Sequence, residues 1–133
     1  MPTVEEYVFY VGREYKVEFY FTDKGKILVK DYFDACDVQV QVKFLALVKY
    51  IAENGRIFDE KKFRLVDKKE KIYEFKPKGE RFFSCFYEGK RIVVLHAYRK
   101  KSQKVSAREL ARAIMYKQDY ELRFKEGSYY ESN

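Results

Sequence analysis

Residues Ile72 to Arg112 read IYEFKPKGERFFSCFYEGKRIVVLHAYRKKSQKVSARELAR, and the reading of this stretch decides the fold. Aromatic and β-branched residues dominate three runs, which predicts strands over about 71–76, 81–87 and 90–98. Glu88-Gly89 between the last two is a tight-hairpin signal. Ile92-Val93-Val94-Leu95 lacks polar alternation, so the third strand is expected at the centre of a sheet, covered on both faces. Ser106-Ala107-Arg108-Glu109 has the pattern of a capping box. In that device the Ser106 hydroxyl accepts from the Glu109 amide and the Glu109 carboxylate reaches back to the Ser106 amide. The helix it opens is predicted to reach about Phe124, with Gly127 to Asn133 as a loose tail.

Upstream, Tyr7–Val11 and Tyr15–Phe21 are predicted strands on either side of a Gly12-Arg13 turn. In the second, Val17, Phe19 and Phe21 alternate with Lys16, Glu18 and Tyr20, the period of a strand covered on one face. From about Asp31 to Asn54, Phe33, Val40, Phe44, Leu47, Val48 and Ile51 recur at helical spacing, and Gly55 is a natural stop. Val38-Gln39-Val40-Gln41-Val42 imitates a strand, but the longer period predicts helix, either as one piece or broken near Asp37. Asp59 to Glu70 reads as a charged connection anchored by Phe63 and Leu65.

A length of 133 residues suits one domain with its own core, and no repeat or linker divides it. With no Trp, 13 Tyr and 12 Phe must fill the interior. No uncharged apolar run nears the roughly 18 residues of a membrane span. The N-terminus lacks the basic and apolar regions of a signal peptide. Cys36 and Cys85 have no CxxC spacing and are expected as free thiols in a reducing cytoplasm. Gly-rich phosphate loops, paired-His metal helices and nucleophile elbows are absent from the sequence, so no cofactor or metal is expected.

The charge is unevenly spread. Residues 1–70 hold 13 Lys+Arg and 13 Asp+Glu, whereas residues 71–133 hold 15 and 8, so the second part carries the whole formal charge of +7. Such an excess fits a polyanionic partner, where each cation placed on a phosphate releases counterions. It also fits a solvated basic helix.

The single histidine, His96, excludes a two-imidazole ribonuclease. Counting along the strand puts it on one face with Ile92, Val94 and Tyr98, which favours a partly buried, hydrogen-bonded histidine over a proton shuttle. Its pKa near neutrality keeps the second role open. Lys76 and Arg81 flank the bend Pro77 to Glu80, and antiparallel pairing brings Arg99, Lys100 and Lys101 to the same end of the sheet. A cluster of this kind can hold a scissile phosphate and stabilise a pentavalent transition state. The bland alternative is a solvated turn.

Taken together, these motifs resemble the HigB-type toxins, a branch of the RelE/ParE superfamily of type II toxin–antitoxin systems. Ile72-Tyr73-Glu74-Phe75-Lys76-Pro77 is similar to that branch's "I-W-E-L-R-P" strand. The correspondence continues at Arg81 and Val93-Val94-Leu95-His96. Lys100-Lys101-Ser102-Gln103-Lys104 resembles "K-[KR]-T-Q-K-T-P", and Arg108-Glu109 matches the "R-E" that opens the final helix. The likeness covers roughly residues 15 to 125 and leaves 1–14 as an N-terminal extension. Tyr73 stands for the usual Trp, Lys76 for Arg, Ser102 for Thr, and Val105-Ser106 for Thr-Pro. The change at 76 keeps the charge and loses bidentate geometry.

The resemblance implies an α+β fold of the RelE type: a small antiparallel sheet, N-terminal helices and a C-terminal helix, with the helices on one side. It implies a toxin that enters the ribosomal A site and cleaves mRNA without metal, the ribose 2′-hydroxyl attacking its own 3′ phosphate. Arg81 and Lys76 would stabilise the phosphate. Lys100 or Lys101 would add charge or protonate the leaving oxygen, and His96 or Tyr98 would assist proton transfer or stack on a base. Arg99, Gln103 and Lys104 would position the RNA, and Arg108 and Arg112 would contact rRNA or the antitoxin. The implied partners are a cognate helix-turn-helix antitoxin, mRNA and the ribosome, with no membrane. Two readings compete: a ParE-like poison of DNA gyrase, and a non-catalytic binding domain on the same scaffold. The Lys100–Lys104 motif favours the ribonuclease.

Overall fold

In the computed structural model, which describes residues 1–130, the chain runs α1 (Val4–Tyr7), β1 (Val8–Val11), β2 (Lys16–Phe19), α2 (Leu28–Ala35), α3 (Val38–Asn54), β3 (Phe63–Asp67), β4 (Ile72–Phe75), β5 (Glu80–Tyr87), β6 (Arg91–Arg99) and α4 (Ala107–Glu126). The strands form one sheet in the order β1-β2-β6-β5-β4-β3. Every pairing is antiparallel except β2 with β6, which is parallel. The fold is α+β, a six-stranded and mostly antiparallel sheet with N-terminal helices and a C-terminal helix, compatible with the RelE type. No helix among the described residues is long and apolar enough to cross a membrane.

β6 is central, and Ile92, Val93, Val94 and Leu95 are all buried, as the unbroken apolar run predicts. Helices cover both faces of the sheet rather than one. Successive strand residues point to opposite faces, and neighbours in β5 meet different partners. Tyr87 packs on Tyr120 and Phe124 of α4, while Phe86 packs on Phe63 and Tyr73. On the second face Phe44 of α3 stacks on Phe82 with centroids 4.1 Å apart and meets Phe9, Phe33 and Phe75. Phenylalanine thus fills the interior that tryptophan would otherwise occupy.

The helical region breaks near Asp37, one of the two forms the sequence allows. Asp37 caps α3 by accepting from the Val40 amide at 3.0 Å, and Gly55 ends it with φ 92°. Residues 1–14, which precede the span of the resemblance, are built into the sheet and core. β1 pairs with β2, Tyr7 is buried, and Phe9 packs against Phe19, Phe33 and Phe44. The expected loose tail is also corrected in part. Tyr129 is buried, stacks on Phe21 at 4.2 Å, and its hydroxyl oxygen accepts from the Phe21 amide at 3.0 Å. Residues 131–133 lie outside the described residues. β3 replaces the expected connection. Its Phe63 is buried as an anchor should be, but Leu65 is exposed.

One irregularity sets the site. His96 pairs with Phe83 but Val94 pairs with Ser84, so Leu95 is an extra residue in β6. This bulge reverses the parity beyond it. His96 and Tyr98 therefore face α4, opposite to Ile92 and Val94, which corrects the face assignment made from simple alternation.

Candidate functional site

On the α4 side of the sheet, the strands β3, β4, β5 and β6 carry Arg64, Glu74, Arg81 and Tyr98 in a slanting polar row near the N-terminus of the helix, with Phe83 directly opposite Glu74. Arg64 lies opposite Glu74, and Arg81 lies opposite Tyr98. The loop after β6 folds over this row, with the Lys100 amide donating to the Gly79 carbonyl at 2.8 Å. The result is a cleft of about 80 Å³ lined by Arg64, Glu74, Lys76, Arg81, Tyr98, Lys100, Ser102, Gln103, Lys104 and Val105.

Arg81 is only 7% exposed. Its Nη1 donates to the carbonyls of Lys78 and Glu80 at 2.7 and 2.8 Å, which pins the Pro77–Glu80 bend, where Lys78 holds φ 58°. Its Nε lies 3.6 Å from Glu74 Oε1. Glu74, itself buried, receives Arg64 Nε on the other oxygen at 3.1 Å. A buried carboxylate thus holds two guanidinium groups at the cleft, and no acceptor among the described residues takes the Arg81 Nη2 protons. Lys76 donates to the Glu60 carbonyl at 3.2 Å. Its ammonium is held below the ordinary lysine range, first by partial burial and then by the charges of Arg64, Arg81 and Lys100, with Glu74 acting the other way. Burial pushes the Tyr98 phenol up, so it keeps its proton.

The remaining predicted residues lie elsewhere. Arg99 leaves the cleft lining and ion-pairs with Glu80 at 2.9 Å, and Glu80 also accepts from the Tyr32 hydroxyl. Lys101 and Arg99 line a groove of about 320 Å³ on the other side of the same loop, with Tyr98, Lys104 and Arg108. His96, Arg108 and Arg112 border a third space of about 310 Å³ between α2 and α4, with Tyr32, Glu109 and Tyr116. His96 Nε2 sits 2.7 Å from Glu109 Oε1. Its pKa is lowered, first by burial, with Glu109 opposing and Arg112 adding to the shift. That contact alters the predicted capping box. The Ser106 hydroxyl still accepts from the Glu109 amide at 3.3 Å, but the Glu109 carboxylate is committed to His96, and the Ser106 amide donates instead to the Tyr98 hydroxyl at 3.4 Å.

Of the eleven residues expected at the site, Lys76, Arg81, Tyr98, Lys100, Gln103 and Lys104 therefore share one cleft. Sequence reasoning missed Arg64 and Glu74. Glu74 is the acidic letter of the strand motif, and Arg64 becomes visible only when residues 63–67 are read as the neighbouring strand, where opposite charges face each other.

Residues 31–118 match the family described as "Phage derived protein Gp49-like (DUF891)". No curated protein matches the chain. The matched span contains every residue of the cleft and covers most of the sheet. The chain belongs to the Gp49-like family, a RelE-like family associated with toxin–antitoxin systems.

Proposed function

We propose that this Gp49-like protein is the toxin of a type II toxin–antitoxin pair, of HigB type, and acts as a ribosome-dependent mRNA endoribonuclease. The observation that carries the reading is the convergence of Lys76, Arg81, Tyr98, Lys100, Gln103 and Lys104, drawn from three strand ends and one loop, on a single polar cleft. A solvated turn would scatter these cations. Here they crowd around a space suited to one phosphate group.

Each residue has a role that its surroundings support. Arg81 is rigidly held with its outer nitrogen unclaimed, which suits charge stabilisation on the phosphate as the pentavalent state forms. Lys76, whose pKa is lowered by partial burial and neighbouring cations, accepts the proton of the attacking 2′-hydroxyl when it is in its neutral amine form. The new bond joins that oxygen to phosphorus, and the bond to the 5′ oxygen breaks. Lys100 returns a proton to the departing 5′ oxygen, leaving a 2′,3′-cyclic phosphate and a free 5′-hydroxyl. Tyr98 stays protonated and donates to a phosphate oxygen, while Gln103 and Lys104 position the strand. The role of His96 shifts from proton transfer to fastening β6 to α4 through Glu109. Arg108 and Arg112 contact rRNA or the antitoxin.

The test is purified protein added to translating ribosomes, with mRNA 5′ ends mapped. Wild type is expected to cut with codon periodicity, and Arg81→Ala to lose about 10²–10³-fold of the rate. Lys100→Ala, in a less buried position, serves as the second variant should Arg81→Ala fold poorly. A wild-type protein that leaves mRNA intact refutes the ribonuclease reading, and a supercoiling assay then tests gyrase as the target.

A further inference from the structure

Around the edge of the sheet from the cleft lies an apolar groove of about 320 Å³, whose lining includes Arg56, Phe58, Phe63, Arg64, Leu65 and Tyr73. Phe58 is 80% exposed, a large cost for an aromatic ring on a connecting segment. The Arg56 guanidinium carbon sits 5.3 Å from its ring centroid, which leaves much of the ring open to solvent. Phe63 and Tyr73 stack in parallel beside it, 5.3 Å apart with planes 6° from coplanar.

This groove adjoins the cleft across the edge strand β3. Arg64 lines both, and the Lys76 ammonium reaches the carbonyl of Glu60, another residue of the groove wall. Cations therefore accompany the aromatic surface: Arg56 against Phe58 and Arg64 at the junction with the cleft. Aromatic rings and arginines also anchor protein partners, but this surface adjoins the cleft read as the phosphate site, which favours nucleic acid. A single strand of nucleic acid matches it, with phosphates that seek guanidinium groups and bases whose π-faces stack on exposed rings.

Resting on the reading of the cleft as an RNA site, we infer that the Arg56–Phe58 segment is a base-stacking platform. It holds a nucleobase adjacent to the phosphate that Arg81 grips, and the strand wraps round the edge of β3. Stacking on an aromatic ring is insensitive to base identity, so the platform adds affinity and register without choosing a sequence.

The test uses a fluorescently labelled single-stranded RNA, 2′-O-methylated to prevent cleavage, titrated at low salt with full-length protein. An abasic sugar is placed at each position in turn. Wild type is expected to bind, with affinity reduced about tenfold when one particular position is abasic. Phe58→Ala should weaken the intact RNA by about tenfold and be indifferent to the abasic sugar at that position. Arg56→Ala should show a smaller loss in the same direction. Wild type that binds RNA while Phe58→Ala and the abasic scan change nothing overturns the platform and leaves the cleft reading standing. Wild type that binds no RNA overturns the platform, whereas loss of the cleft reading is judged by mRNA cleavage on ribosomes. Self-association of wild type abolished by Phe58→Ala, without an effect on RNA, also overturns it in favour of a contact between copies. Phe58 is exposed, so its truncation leaves the fold intact, and a thermal melt verifies this.

Discussion

Replacing Glu74 with alanine removes the carboxylate between Arg64 and Arg81 and tests how the cleft is held. Its oxygens lie 3.1 Å from Arg64 Nε and 3.6 Å from Arg81 Nε. At an effective dielectric of about 20, Coulomb attraction at these separations is about 5 kcal/mol for each pair before desolvation is subtracted. Arg64 is about a third exposed, so water screens its share and the stabilising part falls mainly on Arg81. Breaking a buried pair from one side costs about 3–5 kcal/mol, because the remaining charge is left without a counter-ion. Arg81 keeps its two carbonyl acceptors, which places the expected loss at the lower end, about 3 kcal/mol. For a chain of this length that lowers the melting temperature by about 10–15 °C. Urea unfolding supplies the free energy and a melt the temperature. Glu74→Gln, which keeps an oxygen for Arg64, should lose about half as much. In the double variant with Arg81→Ala, the losses should fall short of the sum by more than about 1 kcal/mol. A Glu74→Ala protein within about 1 kcal/mol of wild type refutes the buried carboxylate as the anchor of the cleft.

Other outcomes follow from the same structure. A Cβ at Gly12 would stand 2.6 Å from the Ala52 carbonyl oxygen, which also accepts from the Glu14 and Tyr15 amides, so Gly12→Ala should lose about 2 kcal/mol or more in urea unfolding. Burial holds the phenols of Tyr20, Tyr120, Tyr129 and Tyr130 well above the ordinary tyrosine range. The unfolded chain releases these protons near pH 10 and the native state keeps them. Stability is therefore full below about pH 10 and falls as pH rises further, with a cooperative jump in tyrosinate absorbance on unfolding. Burial also pushes the Cys85 thiol up to about 12, so at pH 8 an alkylating reagent should modify half-buried Cys36 first and reach Cys85 only after denaturation. Within the proposed mechanism, Lys76→Arg keeps the charge and removes the proton acceptor, so single-turnover cleavage should drop and lose its rise with pH.

Much of the site was legible because its residues sit close in sequence around two turns. The β5–β6 hairpin forces Arg81 opposite Tyr98, and the bend at Pro77 keeps Lys76 nearby. Central placement of β6 followed from its unbroken apolar run. Three features had no local signal. The parallel pairing of β2 with β6 joins segments more than seventy residues apart. The bulge at Leu95 depends on how two strands fit, and it moves His96 to the α4 face. The commitment of Glu109 to His96 overrides a capping pattern that local chemistry alone would satisfy. β3 is only five residues long and was hidden by the lysines that flank it, Lys61, Lys62, Lys68 and Lys69, and with it went the Arg64–Glu74 pair.

The most direct test of the central claim is the chemistry of the cut. Ribosomes are programmed with an mRNA whose cleaved codon carries either ribose or 2′-deoxyribose at the reactive nucleotide, and the new ends are analysed. The account predicts a 2′,3′-cyclic phosphate on one fragment, a 5′-hydroxyl on the other, and no cleavage of the deoxy-substituted message. Cleavage that persists without that 2′-hydroxyl, or ends bearing a 5′-phosphate, would contradict it.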